Sequence, residues 1–443
     1  MKQPQHITVL GGGPAGLAVG YYAKLNHLPF SIYEANGFIG GNCITWKQGD
    51  FLFDSGAHRF HDKNQEITQE VKKLLGKELK KINSPSQIYY DNNLIDFPLS
   101  PLNIIQKFGL WFSIKTGIEL VLSRLKKPVN TNFENFAIYT YGRTIASYFL
   151  LNYSEKLWGA PCYQLSPSIS GKRLQGLDLK TFLTEACLGS RKKVEHLDGL
   201  FYYPQKGIGR LSEKLGEFCG EANILKTSKI TKIFHENRKI QAIEINHNQV
   251  IETHEVVSTL PLSITVQLMD PIASEDALLA AQNLRFRNLI LVALFLNVES
   301  ITQNASIYFP DRTIPFTRVY EPKNRSLEMC PLGKTSLVAE IPCQKGDQLW
   351  KLKDDQLVRL VTAYFIQAGW FKDETILDAK VVRINHAYPI LELGYEEKVQ
   401  KINAFLQQFD NLKTSGRNGK FVYAHFHDMM KFGKEVIEDY LIE

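Results

Sequence analysis

From Ile7 to Asn42 the chain reads ITVLGGGPAGLAVGYYAKLNHLPFSIYEANGFIGGN. Its first four residues, Ile7 to Leu10, form a short apolar run, the pattern of a buried parallel strand. Gly11, Gly13 and Gly16 follow at the spacing G-x-G-x-x-G. From Pro14 the pattern turns helical and continues to about Leu25, and FSIYE then gives a second strand ending at Glu34. Glu34 lies 18 positions after Gly16, close to the separation of about 20 at which a carboxylate meets a ribose. Each part has a mechanical task. Gly11 permits a tight turn, Gly13 lets bare backbone approach a pyrophosphate, and Gly16 lets helix pack on strand. The helix amino terminus, at Pro14 and Ala15, turns free N–H groups toward a diphosphate. Strand, loop, helix, strand and acid in this order predict a bound dinucleotide.

A second glycine pair, Gly40 and Gly41, follows Glu34 and Ala35 within a few residues and is itself followed by Asn42. Two bare turns so close together suit one long ligand touching both. This arrangement resembles the FAD-binding fold of the amine oxidase, protoporphyrinogen oxidase and UDP-galactopyranose mutase superfamily. There the acid is followed by Gly-Gly and then by Arg or Asn; Asn42 matches the mutase branch. GIGRL at Gly207 lacks a third glycine and a clear preceding strand, so no dedicated NAD(P)H domain is expected. The resemblance implies FAD as the cofactor. It also implies an α/β protein with a glutathione-reductase-like (Rossmann-type) FAD-binding domain and an interleaved α+β substrate domain. Residues 1–98, 194–283 and 401–443 are assigned to the FAD domain, and 99–193 and 284–400 to the substrate domain.

Composition sets the outer bounds. A chain of 443 residues, 44% hydrophobic and 22% charged, is a globular protein too long for one ordinary core. A formal charge of +6 is a mild excess that suits an anionic substrate or an acidic membrane surface and does not call for nucleic acid. Six cysteines are scattered without a C-x-x-C pair, so they read as reduced thiols of a cytoplasmic protein, with no metal site. MKQPQH runs straight into the first strand without a secretory pattern. The apolar run LILVALFL, Leu289 to Leu296, is too short to span a bilayer as a helix and reads as a buried strand. The basic helical segment from Ile104 to Lys127 carries Lys107, Lys115, Arg124, Lys126 and Lys127. It reads as a wall over the substrate site, with peripheral membrane contact as the alternative.

Four further segments extend the resemblance. DSGAHRFH, Asp54 to His61, is similar to the mutase loop Gly-Pro-His-x-Phe-His that lies against the flavin ring, with Ala57 in place of Pro; Arg59 matches the oxidase-like form. It implies flavin proximity and catalytic roles for His58 and His61. NYSEKLWGAPC is similar to the mutase signature Tyr-Thr-x-Lys-Gln-Trp-Gly and implies that Tyr153 and Trp158 line the substrate site. FTRVYEPK supplies Arg318, the counterpart of a diphosphate-gripping Arg, and AYPI supplies Tyr388. GRNGKFVY, with Gly416, Arg417 and Tyr423, resembles the superfamily's carboxy-terminal FAD segment. Three departures weigh against mutase chemistry. Leu177 stands where a second diphosphate Arg belongs, STLPLS replaces Thr-Gly-Pro-Ile-Asp, and His425 and His427 stand where carboxylates would.

The expected function is an FAD-dependent oxidoreductase moving a hydride from a small or lipid-linked organic substrate to flavin N5. The alternative is a UDP-galactopyranose-mutase-like isomerase in which reduced FAD acts on a nucleotide sugar.

Overall fold

A computed structural model of the chain describes residues 5–97, 99, 101–125, 131–173 and 199–442. Leu177, Lys126 and Lys127 lie outside the described residues. The opening stretch folds as its pattern predicts: strand β1 (Ile7–Leu10), helix α1 (Pro14–Leu25) and strand β2 (Phe30–Tyr33). β1 and β2 pair in parallel at the centre of a five-stranded sheet. Glu255–Ser258 flanks β1 on its other side, Leu412–Thr414 lies beyond it, and Ile224–Leu225 closes the β2 edge; every pairing is parallel. Gly20 brings α1 onto the sheet, since a Cβ there would meet Ile32 and Phe30 at 2.8 Å. Gly433 brings the closing helix Phe426–Ile442 onto α1, since its Cβ would lie 2.7 Å from Ala18.

A seven-stranded sheet stands beside this unit. Its order is Ile376–Pro389, Phe286–Leu296, Thr335–Cys343, Arg318–Tyr320, Ser306–Tyr308, Ser86–Tyr90 and Asn93–Phe97. The strand Phe286–Leu296 is buried at every residue, and the sheet's two faces explain why. Ile290, Val292, Leu294 and Leu296 pack with Leu357, Val361 and Phe365 of the helix Asp354–Gln367. Leu289, Leu291, Ala293 and Phe295 pack with Phe51 and Phe53 of the hairpin made by Thr45–Gln48 and Phe51–Asp54. A strand covered on both faces has no position for a polar alternation.

GIGRL has a packing role. A Cβ on Gly207 would lie 2.3 Å from Thr45 Oγ1, and one on Gly209 would lie 2.5 Å from Thr45 N. The start of the helix Gly209–Cys219 instead hydrogen-bonds that hairpin: Ile208 N donates to Asp54 Oδ1 (3.0 Å) and Gly209 N to Thr45 Oγ1 (2.9 Å). Among the described residues no helix is long and apolar enough to cross a membrane.

Candidate functional site

Two cavities meet at the carboxyl end of the parallel sheet. The first, about 310 Å³, is lined by the α1 loop, Glu34, Gly41, Asn42, His58, Thr259 and residues 416–418. Gly11 has φ +107 and ends β1; Gly12 N donates to Glu34 Oε2 at 2.8 Å. Glu34 Oε1 accepts from Asn36 N and Nδ2 at 2.8 and 2.7 Å. The carboxylate is therefore fixed by three donors and, with about four lone-pair directions in all, keeps acceptor capacity at the cavity wall.

Gly40 and Gly41 both have positive φ (+115 and +52). Gly40 N donates to Gly12 O at 2.9 Å, and a Cβ on Gly41 would lie 3.1 Å from Gly13 Cα. The two glycine turns thus touch, backbone to backbone. α1 begins at Pro14 with no side-chain cap on its amino terminus, leaving a built anion site. Pro14 and Ala15 line the cavity, Gly16 and Gly40 shape its backbone, and Ala35 is exposed beside Glu34.

The carboxy-terminal segment closes the other side. Gly416 (φ +86) packs against Ala15, and Arg417 Nη2 donates to Ala387 O at 2.7 Å with its guanidinium over the Tyr388 ring. Asn42 and Asn418 both donate to His386 O, at 3.1 and 2.9 Å. Among the described residues nothing donates to the buried Asn418 Oδ1. Bare glycine backbone, a helix amino terminus, a fixed carboxylate and an orphaned acceptor along one elongated cavity fit a flavin dinucleotide. Sequence reasoning did not single out Asn418, His386 or Thr259. Thr259, within STLPLS, donates to Leu10 O at 2.8 Å and so fixes the end of β1.

The second cavity, about 190 Å³, shares Ala57, Arg59, Arg318, Tyr388 and Tyr423 with the first. Its remaining wall is mostly apolar and aromatic, including Phe97, Phe133, Phe149, Leu157 and Trp158. Trp158 meets Tyr388 and Tyr423 edge-on at 6.1 and 5.8 Å, and Tyr153 meets Tyr308 at 5.6 Å. The segment 152–159 aims these rings by anchoring its other residues. Lys156 Nζ donates to the carbonyls of Phe309, Asp311 and Phe316 at 2.6–2.9 Å. Gly159 (φ +69) leaves room for Arg287, which binds the carbonyls of Lys156, Leu157 and Pro342. The Lys and Gly of the motif are therefore structural, while Tyr153 and Trp158 face the cavity.

Arg318 sits where the two cavities join, with the Nε/Nη2 edge of its fork engaged. Nε donates to Glu340 Oε2 at 2.9 Å, and Nη2 lies 2.9 Å from Oε1 and 2.7 Å from Oε2. Glu340 is 1% exposed and also accepts from Ala57 N at 2.7 Å. One carboxylate thus ties the strand Arg318–Tyr320 to the loop 54–61. Its sequence signal is a lone acid inside an otherwise uncharged strand, TSLVAEIPC.

The loop 54–61 separates its two histidines. His58 lines the dinucleotide cavity and His61 the aromatic one. Asp54 anchors the loop, accepting from Thr45 Oγ1, Ile208 N and Tyr203 OH. Burial, helped by the positive charges of Arg417, Arg318 and Arg325, pushes the His58 pKa down to about 3. His58 is therefore a neutral imidazole at working pH. The unfolded chain takes up this proton below pH 6.5, whereas the folded protein does so only near pH 3, so His58 lowers stability as pH falls through that window. Thermal melts of His58→Ala are expected to show a flatter acid-side decline than wild type. Its turnover should keep the wild-type pH profile between about pH 5 and 8.

The model of flavin containing amine oxidoreductases matches residues 14–380. UDP-galactopyranose mutase of Mycoplasma pneumoniae is 24% identical over 184 residues, 38% of this chain and 43% of that protein. Mitochondrial protoporphyrinogen oxidase of Nicotiana tabacum is 30% identical over 64 residues, 14% of this chain and 13% of that protein. The matches thus span less than half the length of these curated relatives. A crystal structure of reduced UDP-galactopyranose mutase superposes with a TM-score of 0.87 at 19% identity, covering 100% of this chain and 94% of that one; at that identity it speaks for the fold. With the family match running from the start of α1 to residue 380, most of the chain, the chain belongs to the flavin containing amine oxidoreductases, and its cofactor is FAD.

Proposed function

We propose that the protein is an FAD-dependent oxidoreductase acting on an apolar, ring-bearing organic substrate, small or lipid-linked. The observation that carries this reading is the Arg318–Glu340 pair. The arginine that would grip a diphosphate is already held bidentately by a buried carboxylate, in a cavity whose other walls are mostly apolar. Such a wall excludes water and favours an uncharged substrate. Bound FAD supplies the hydride acceptor, at flavin N5.

The chain's own residues would do the rest. Trp158, Tyr388 and Tyr423 orient an apolar ring. His61, in the substrate cavity, is the candidate proton acceptor. His58 offers a neutral ring to the dinucleotide cavity and would influence the flavin's potential without carrying charge. The proposed division gives the hairpin 86–97 to the FAD domain, yet its strands join the seven-stranded sheet and add Ser86, Ile88 and Phe97 to the substrate cavity.

The second reading is a mutase-like isomerase using reduced FAD on a nucleotide sugar. It is supported by the 24% identity over 184 residues and by the aromatic set Tyr153, Trp158 and Tyr388. Anaerobic mixing separates the two. Bleaching of the flavin absorbance by an apolar candidate substrate supports oxidation. Interconversion of a nucleotide sugar only after prior reduction of the flavin supports the isomerase. On that second reading, Arg318→Ala weakens nucleotide-sugar binding by about 2–5 kcal/mol; unchanged affinity retires it.

A further inference from the structure

The helix Leu110–Arg124 turns its apolar side to solvent. Leu110, Trp111, Ile114, Ile118, Val121 and Leu122 are all exposed, and Leu125 continues the row. They recur at helical spacing on one face, where Trp111 is 83% and Leu125 79% exposed. The opposite side holds buried Thr116 and Leu120, together with Glu119, whose carboxylate accepts from Thr144 N and Oγ1, each at 2.8 Å. A surface helix ordinarily shows its polar side to water; this one is inverted.

Two exposed lysines accompany the face. Lys115 lies on it, and Lys107, also exposed, on the preceding helix Pro101–Phe108. Between Leu99 and Asn132 the only acidic residue of the sequence is Glu119, which points inward. The inner side of the helix pair packs into the wall of the aromatic cavity. Phe108 stacks on Phe112 at 4.7 Å and Phe112 on Tyr148 at 5.8 Å. The same cluster contains Phe97, Leu99 and Phe149, which line the aromatic cavity.

We propose that Leu110–Arg124 is an interfacial docking helix that seats the protein on an anionic lipid surface. The helix lies in the headgroup plane, with its apolar face down. Trp111 sits at headgroup depth, and Lys107 and Lys115 meet lipid phosphates. A contiguous apolar face of this kind marks an interaction surface. Lipid suits it better than a second copy of the chain: two-fold pairing of this face brings its lysines together, whereas anionic headgroups complement them. Among the described residues no helix is long and apolar enough to cross a membrane; the proposed contact is with the lipid surface.

The test uses the full FAD-loaded chain and sedimentable vesicles, either pure phosphatidylcholine or with about a third phosphatidylglycerol. Wild type is expected to pellet with the anionic vesicles, and less so as salt rises. The triple variant Trp111→Ser, Ile118→Ser, Leu122→Ser should lose roughly tenfold or more in partitioning, with flavin absorbance and melting temperature retained. Lys107→Ser with Lys115→Ser should abolish the preference for anionic vesicles. Wild type remaining in the supernatant of both vesicle sets at low salt would overturn the proposal, as would undiminished pelleting of the triple variant. A wild-type dimer that becomes a monomer in the triple variant, without vesicle binding, would assign the face to self-association instead.

Discussion

Gly13→Val is expected to yield a folded protein that no longer retains FAD. Gly13 has φ −77 and ψ −179, a conformation open to any residue. A Cβ built there meets nothing of the protein closer than Gly41 Cα, at 3.7 Å. The chain itself therefore tolerates a first side-chain atom, but Gly13 lines the dinucleotide cavity, and valine intrudes where a pyrophosphate must approach bare backbone. Gly16 is the counter-case. Its Cβ would lie 1.9 Å from Gly11 O, so even alanine must break the packing of α1 on β1. Gly16→Ala should unfold at distinctly lower temperature or fail to accumulate. Far-ultraviolet circular dichroism and flavin absorbance, read together, distinguish the outcomes: Gly13→Val keeps the first signal and loses the second. A Gly13→Val protein that stays yellow through gel filtration would refute the assignment of this loop.

The second large effect belongs to Glu340. Its carboxylate holds Arg318 through Nε and Nη2 and Ala57 through the backbone N–H. Glu340→Ala leaves a largely buried guanidinium without its counter-charge and an amide without its acceptor. Removing one partner of a buried pair costs about 3–5 kcal/mol, and urea unfolding should register a loss of that size. Replacing both partners, Arg318→Met with Glu340→Met, should recover much of it, because no uncompensated charge remains. The single variants Arg318→Met and Glu340→Met and the double form a cycle that isolates the coupling. A Glu340→Ala protein as stable as wild type would mean the pair is not intact in solution.

The strand–turn–helix–strand unit of the candidate dinucleotide site was legible because its instructions are local. β1, the glycine turn, α1 and Glu34 fall within one short stretch, and each spacing has one mechanical meaning. The buried run from Leu289 was legible for the same reason. Long-range pairings were not. Glu340 meets Ala57 across 283 positions, and no local pattern names the partner of a lone acid in a strand. Leu79–Asn83 pairs with Leu200–Pro204, a match invisible to any window. The histidines of GAHRFH were expected together at the flavin, but the path of the loop sends His58 and His61 to different cavities. The helix Leu110–Arg124 shows a different limit. Its periodicity marks a helix and two faces, but the sequence does not say which face the rest of the chain covers.

The strand Phe286–Leu296 also bears on how the protein is made. Both of its hydrogen-bonding neighbours, Thr335–Cys343 and Ile376–Pro389, come later in the chain. A nascent polypeptide therefore displays eleven residues of β-forming, largely apolar sequence with both edges open until synthesis has passed Cys343, and one edge open until it has passed Pro389. Such a segment is a template for pairing with other chains. Charge near it is confined to Arg285 just before it, Arg287 within its first two residues and Glu299 after it. Yield in a foreign host should therefore depend on chaperone supply and slow translation more than on the stability of the finished fold.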